Sequence, residues 1–106
     1  MMEITPQQLH VSLQNDAPAP YLLDVREPSE FEICHIEGAH LIPSGQVPTE
    51  LDQLPRDCPI VVICHHGIRS FMIGMYLENQ GFDQIRNLQG GIAAWARNID
   101  LDMPMY

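Results

Sequence analysis

A chain of 106 residues with 14 acidic against 5 basic side chains carries a formal charge of −9. The length suits one hydrophobic core, expected as a single domain over residues 1–106, and the charge argues against nucleic acid or an anionic membrane as a partner, because polyanions are repelled. No run approaches the ~20 apolar residues that span a bilayer, Met1 to Leu13 lacks the features of a secretion signal, and Cys34, Cys58 and Cys64 have no Cys-x-x-Cys spacing, so a reduced, cytoplasmic protein is expected.

Glu3-Ile4 can form a short first strand. Thr5-Pro6 reads as a helix start, with a hydroxyl N-cap and proline at the first helical position; it predicts a helix with Leu9 and Leu13 on its buried edge that stops before Asn15-Asp16. Ala17-Pro18-Ala19-Pro20 cannot continue it and is a surface connection. Tyr21 to Val25 is an apolar run of strand length ending in charged Asp24-Val25-Arg26-Glu27, where a sheet's carboxyl edge would lie. Pro28 to Ile33 is a short helix candidate. His35 to Pro43 turns at Gly38 into a brief strand, and Pro48 to Leu54 is expected to form another helix with Leu51 and Leu54 inward.

Ile60-Val61-Val62-Ile63 is a β-branched run that favours a strand buried on both faces. Helical spacing follows. Phe71, Met72, Met75 and Tyr76 fall on one helix face, with Met72 and Met75 expected as core filler, and Gly81 is placed to end the helix in a left-handed cap. Gln84 to Leu88 can supply a last short strand. Gly90-Gly91 gives a turn before a helix from Ile92 to Asn98 with Trp95 inward, and Asp100 to Tyr106 docks irregularly. Strands alternating with helices through short connections predict an α/β fold, with a mostly parallel sheet of about five strands covered by helices on both faces.

Between the buried strand and the following helix lies Cys64-His65-His66-Gly67-Ile68-Arg69. A sulfur at a strand's carboxyl end, facing a helix amino terminus, sees unpaired backbone N–H groups and the positive end of the helix dipole, both of which favour thiolate, the nucleophilic form. Gly67 lets the loop turn so that successive amides point inward as an anion cradle, and Arg69 adds a permanent charge and a planar fork. The alternative is a small buried thiol in a sheet core.

The residues resemble the single-domain rhodanese-like sulfurtransferases. Leu22-Leu23-Asp24-Val25-Arg26 with Glu30-Phe31, then His35-Ile36-Glu37-Gly38-Ala39 and Ile42-Pro43, look like that family's first signature; the loop from Cys64 to Arg69 and Leu88-Gln89-Gly90-Gly91 with Trp95 supply the rest. The resemblance implies a rhodanese-like domain in which Cys64 takes a sulfane sulfur from a donor as a persulfide and passes it to a thiophilic acceptor (cyanide, a thiol or a protein thiol). It implies no cofactor and no metal. The amides from His65 through His66, Gly67, Ile68 and Arg69 to Ser70 would hold the persulfide anion by charge-assisted hydrogen bonds. Arginine lies five positions after the cysteine, whereas the related cell-cycle phosphatases and protein tyrosine phosphatases use a loop one residue longer. Phosphatase or arsenate reductase chemistry is therefore the lesser enzymatic alternative, and a regulatory or binding module that keeps the fold without the activity is the other.

Two departures from the family pattern bear on substrates. His65 stands where a basic residue often follows the cysteine, and Cys34 stands where glycine usually precedes the signature histidine. A histidine with an ordinary pKa near ~6.5 is mostly uncharged at neutral pH. With the acidic surface, this points to a protein persulfide or a low-molecular-weight persulfide as donor in preference to thiosulfate. Asp24 and Arg26 can be read as an acid/base pair beside the sulfur or, as the favoured reading, as an ion pair fixing the sheet edge, and Arg69 as a charge near the sulfur or a brace bonded to backbone carbonyls. His65, His66, His35 and His40 have no zinc-like spacing, Cys34 is a packed thiol unless it resolves a persulfide on Cys64, and Cys58 takes the packed reading too.

Overall fold

A computed structural model describes all residues, 1–106. Its centre is β4 (Ile60–Ile63), whose four residues are at most 1% exposed. Each such aliphatic side chain contributes about 2 kcal/mol by leaving water. Around it are β1 (Met2–Ile4), β2 (Tyr21–Asp24), β3 (His40–Leu41) and β5 (Ile85–Leu88), in the order β1-β5-β4-β2-β3, and every pairing is parallel. Parallel neighbours need crossovers, which the helices supply.

The pleat divides the core in two. Leu23, Val25, Ile60, Val62 and Cys64 face α3 (Ile68–Asn79) and the turns after β3, where Val47, Leu54 and Leu77 cover them. Leu22, Val61, Ile63 and Leu88 face α1 (Pro6–Asn15) and α4 (Gly91–Asn98), where Leu9, Ile92 and Trp95 cover them. Helices therefore cover both faces, and α2 (Pro28–Ile33) leads from the carboxyl end of β2 towards the second cluster. No helix is long and apolar enough to cross a membrane.

Thr5 caps α1 as its sequence predicts. Its hydroxyl accepts the Gln8 N–H at 3.1 Å while the Gln8 side chain accepts the Thr5 N–H at 2.9 Å. The helix runs one residue further than expected, through Asn15, whose side-chain amide donates to Val11 O at 3.0 Å. Gly81 takes φ +94°, so the left-handed end of α3 is present.

Three expectations are corrected. Pro48–Leu54 is not an α-helix: Ser44–Thr49 and Leu51–Gln53 are two 3-10 turns, because Pro48 has no N–H to give and the bonds that form are short ones such as Glu50 N–H to Val47 O and Leu54 N–H to Leu51 O. α3 begins at Ile68, so the non-helical loop is only Cys64 to Gly67. Finally, Phe71, Met72 and Met75 are 42%, 63% and 46% exposed, and the buried stripe of α3 is Ser70, Gly74 and Leu77 with Ile73 and Tyr76 beside it. Apolar residues ring this helix, so their spacing alone does not choose a face. Gly74 chooses it, because a side chain there would meet Met1 and Ile85, and its absence lets the helix lie close against β5.

Candidate functional site

The carboxyl ends of β2, β4 and β5 converge on one edge of the sheet, and Cys64 is the first residue beyond β4. The chain must reverse at once into α3. Gly67 makes this possible as the helix N-cap at φ +99°, a conformation costly for any residue with a Cβ. The turn points the Gly67 N–H at the Cys64 sulfur, 3.1 Å away, and places the Ser70 hydroxyl 3.2 Å from it. Ile68, Arg69 and Ser70 open α3, and their N–H groups have no carbonyl one turn earlier within the helix. Donors and the positive end of a twelve-residue helix thus gather around one sulfur.

The loop's own carbonyls are held from behind. Ile92 N–H donates to Cys64 O at 2.9 Å and Ala93 N–H to His65 O at 3.0 Å, so the amino end of α4 holds the Cys64 and His65 backbone. Gly90 and Gly91 both lie at positive φ to allow that approach, and a Cβ on Gly91 would run into the carbonyls of Cys64 and His65. This is the physical content of the Leu88-Gln89-Gly90-Gly91 motif.

Arg69 corrects one of its two readings, the brace on backbone carbonyls. Its guanidinium does not bond backbone carbonyls; both terminal nitrogens donate to the Glu30 carboxylate at 2.9 Å. Glu30 also accepts from the Glu27 N–H at 2.9 Å and the Tyr106 hydroxyl at 2.9 Å. The Arg69 bonds, then the Glu27 amide and Tyr106, pull the Glu30 carboxyl down to about 2 in spite of its partial burial. Arg69 is held charged by the same pair, so its charge is already answered before any substrate arrives.

Asp24 and Arg26 form the expected ion pair, both at 0% exposure. Asp24 takes the Arg26 Nε at 2.9 Å and Nη2 at 2.7 Å; Cys34 O accepts from Nη2 at 2.7 Å and the Tyr106 hydroxyl from Nη1 at 3.0 Å. The pair ties β2 to α2 and to the carboxyl-terminal tail. His65 is sandwiched between His66 and Tyr106, with ring centroids 4.1 Å away on each side. Burial, with His66 beside it, lowers the His65 pKa below its ordinary value and so disfavours the charged ring. The Ile68 side chain is 75% exposed and turned to solvent.

The structure thus gathers Gly67 and Ser70 at the Cys64 sulfur, with His65 and His66 in the loop beside it; the Arg69–Glu30 pair ties α3 to α2, and the Asp24–Arg26 pair lies on the sheet face that carries Cys34. Cys34 sits in the cluster on the opposite sheet face from Cys64. His35 stacks on Phe31 and His40 on Tyr21, and no group of three or more His, Cys, Asp or Glu side chains is placed to hold a metal ion. Sequence reasoning named Glu30 only as a motif residue and missed Tyr106, Asn87 and Glu3. The motif around Leu88 is the one signal that could have pointed to Asn87.

Comparison with known proteins agrees with this fold. The family model described as "Rhodanese-like domain" matches residues 5–98. The chain is 40% identical over 105 residues to the probable adenylyltransferase/sulfurtransferase MoeZ of Mycobacterium tuberculosis, covering 97% of this chain but only 26% of that protein. It is 35% identical over 77 residues to the thiosulfate sulfurtransferase GlpE of Vibrio cholerae, covering 73% of each. Among solved structures, a rhodanese-related protein from Thermoplasma volcanium superposes with a TM-score of 0.85 at 30% identity, covering 93% of this chain and 94% of that one.

Proposed function

This chain belongs to the rhodanese-like domain family, and on that premise we propose that it is a sulfurtransferase in which Cys64 takes up a sulfane sulfur and hands it to a thiophilic acceptor. The observation that carries the reading is the sulfur at the mouth of a helix, accepting the Gly67 N–H at 3.1 Å with the Ser70 hydroxyl alongside. In the first half-reaction the Cys64 thiolate attacks the outer sulfur of a donor persulfide, a bond forms between the two sulfurs, and the donor's inner sulfur leaves as thiolate. In the second, an acceptor thiolate or cyanide attacks the outer sulfur, and the bonding pair returns to Cys64. The amides of the loop and of the first turn of α3 stabilise the persulfide anion between these steps.

The donor class follows from the charges. Thiosulfate is a dianion, and the site has no unanswered cation for it: Arg69 is bound by Glu30, His65 is neutral and the chain carries −9. Cys64 is 1% exposed, so a donor must reach it with a slender end. A low-molecular-weight persulfide, or a persulfide on another protein, reaches the sulfur with a slender end that carries at most one charge. A thiol of this kind keeps its chemistry in a reducing compartment, and we place the protein in the cytoplasm.

Intact-protein mass spectrometry after brief exposure to glutathione persulfide or thiosulfate tests the reading. The expected result is a gain of one sulfur atom, faster from the persulfide, removed by cyanide and absent in Cys64→Ser. Uptake that survives in Cys64→Ser, or no uptake from either donor, would overturn it.

A further inference from the structure

The register of β5 against β4 brings a second polar group behind the nucleophile. Val62 pairs with Asn87, which places the Asn87 side chain on the sheet face that carries Cys64, at 2% exposure. Its Nδ2 donates to Gly67 O at 3.1 Å and to the Glu3 carboxylate of β1 at 3.0 and 3.2 Å, while its Oδ1 accepts the Ser70 hydroxyl. Carbonyl and carboxylate oxygens only accept. The amide nitrogen must therefore face them, and the oxygen must face Ser70. Ser70 is itself fully buried and owns a single hydroxyl proton. With that proton given to Asn87, its lone pairs face the Cys64 sulfur 3.2 Å away, where they suit the S–H of a thiol.

We propose that Asn87 is a positioning residue for the nucleophile: by holding the Ser70 proton it stabilises the thiol and sets how readily Cys64 becomes thiolate. Glu3 acts through it, fixing and polarising the amide from the edge strand. The inference rests on Cys64 being the nucleophile. When the thiol proton leaves to a base in solvent, the electron pair stays on sulfur, and the Ser70 O–H turns from Asn87 Oδ1 to the sulfur. No other covalent bond is made or broken. The turn leaves Asn87 Oδ1 without a donor in a buried site, and this cost opposes ionisation. The Gly67 N–H serves the sulfur in both states. The charged and titratable groups around the sulfur are Arg69 of α3 with Glu30 of α2, His65 of the loop, and Glu3 of β1 behind Asn87.

The test is the thiolate absorbance of Cys64 in the ultraviolet at a mildly acidic pH, taken as the difference from Cys64→Ser, in Asn87→Ala, Ser70→Ala and the double variant. Removing the competing acceptor is expected to raise the thiolate-to-thiol ratio roughly fivefold in Asn87→Ala, the equilibrium worth of one ordinary hydrogen bond. In the Ser70→Ala background the same change should do nothing, since the proton that Asn87 holds is gone. Glu3→Gln, on an exposed side chain, should raise the ratio about twofold by weakening the polarisation of the amide, again only where Ser70 is present. It keeps the inference testable if Asn87→Ala does not fold. A ratio that stays level or falls in Asn87→Ala, or a rise of equal size without Ser70, overturns the proposal. Because the readout is ionisation and not sulfur uptake, a failure of sulfur transfer is seen separately.

Discussion

Replacing Gly91 with alanine is the sharpest probe of how the fold builds the site. Gly91 sits at φ +61°, and a Cβ there meets the carbonyls of both Cys64 and His65. The left-handed conformation costs a residue with a Cβ about 1 kcal/mol. Overpacking against backbone, which no rotamer change can relieve, adds about 2 kcal/mol. If α4 is pushed back, the bonds from Ile92 and Ala93 to those carbonyls, 2.9 and 3.0 Å long, weaken as well, at about 1 kcal/mol for the two together. Gly91→Ala should therefore lose about 4 kcal/mol, or on the order of 15 °C in Tm for a domain of this size. The Cys64 carbonyl shifts with the loop, so any folded protein should also take up sulfur poorly. Gly45→Ala is the matched control, because nothing lies within 4 Å of its added Cβ and its φ is ordinary. Differential scanning calorimetry of both variants, followed by mass-spectrometric uptake, decides the matter. A Gly91→Ala protein that melts within a few degrees of the parent and loads Cys64 normally would refute the claim that close packing of α4 shapes the loop.

Glu30→Gln removes the negative charge and one of the two oxygens that accept the Arg69 bonds. Since the folded-state carboxyl sits near 2 against an ordinary 4.5, its stabilisation is complete above pH 4.5 and fades as the pH falls towards 2. Arg69 is 42% exposed, so water screens the pair and the contribution should be about 1 kcal/mol; denaturation at several pH values should show the two proteins converging in that acid window, and a gap independent of pH would count against the pairing. His65→Arg places a permanent charge where the structure has a neutral ring, and thiosulfate uptake should rise about tenfold, a gain of ~1.4 kcal/mol, with little change for glutathione persulfide. Equal gains for both donors would show that charge at the rim is not what selects between them.

The pieces legible in the sequence are local ones. The β-branched run from Ile60 to Ile63 can be little other than a buried strand, and Gly67 behind Cys64 announces the turn, because both depend on residues within a few positions of one another. The cap at Thr5 and the left-handed end at Gly81 are local in the same sense. The exposed face of α3 was not legible, since an apolar ring leaves the choice of face to whatever packs against it, here Gly74 against β5. Nor was the 3-10 path after β3, where Pro48 breaks a pattern that spacing alone would read as a helix.

The electrostatics of the site lie further from the sequence. Glu30 and Arg69 are 39 positions apart, Tyr106 and Glu30 are 76 apart, and Asn87 and Glu3 are 84 apart. By itself the sequence determined which sulfur is the candidate nucleophile, because that reading needs only a cysteine, a tight turn and a following helix. Whether the arginine beside it is free or spent, and which way the neighbouring hydroxyl gives its proton, was decided only by the tertiary structure. Charge neutralisation and hydrogen-bond direction depend on distances of about 3 Å between side chains, and only the parallel stacking of β1, β5, β4 and β2 brings those side chains to the same edge.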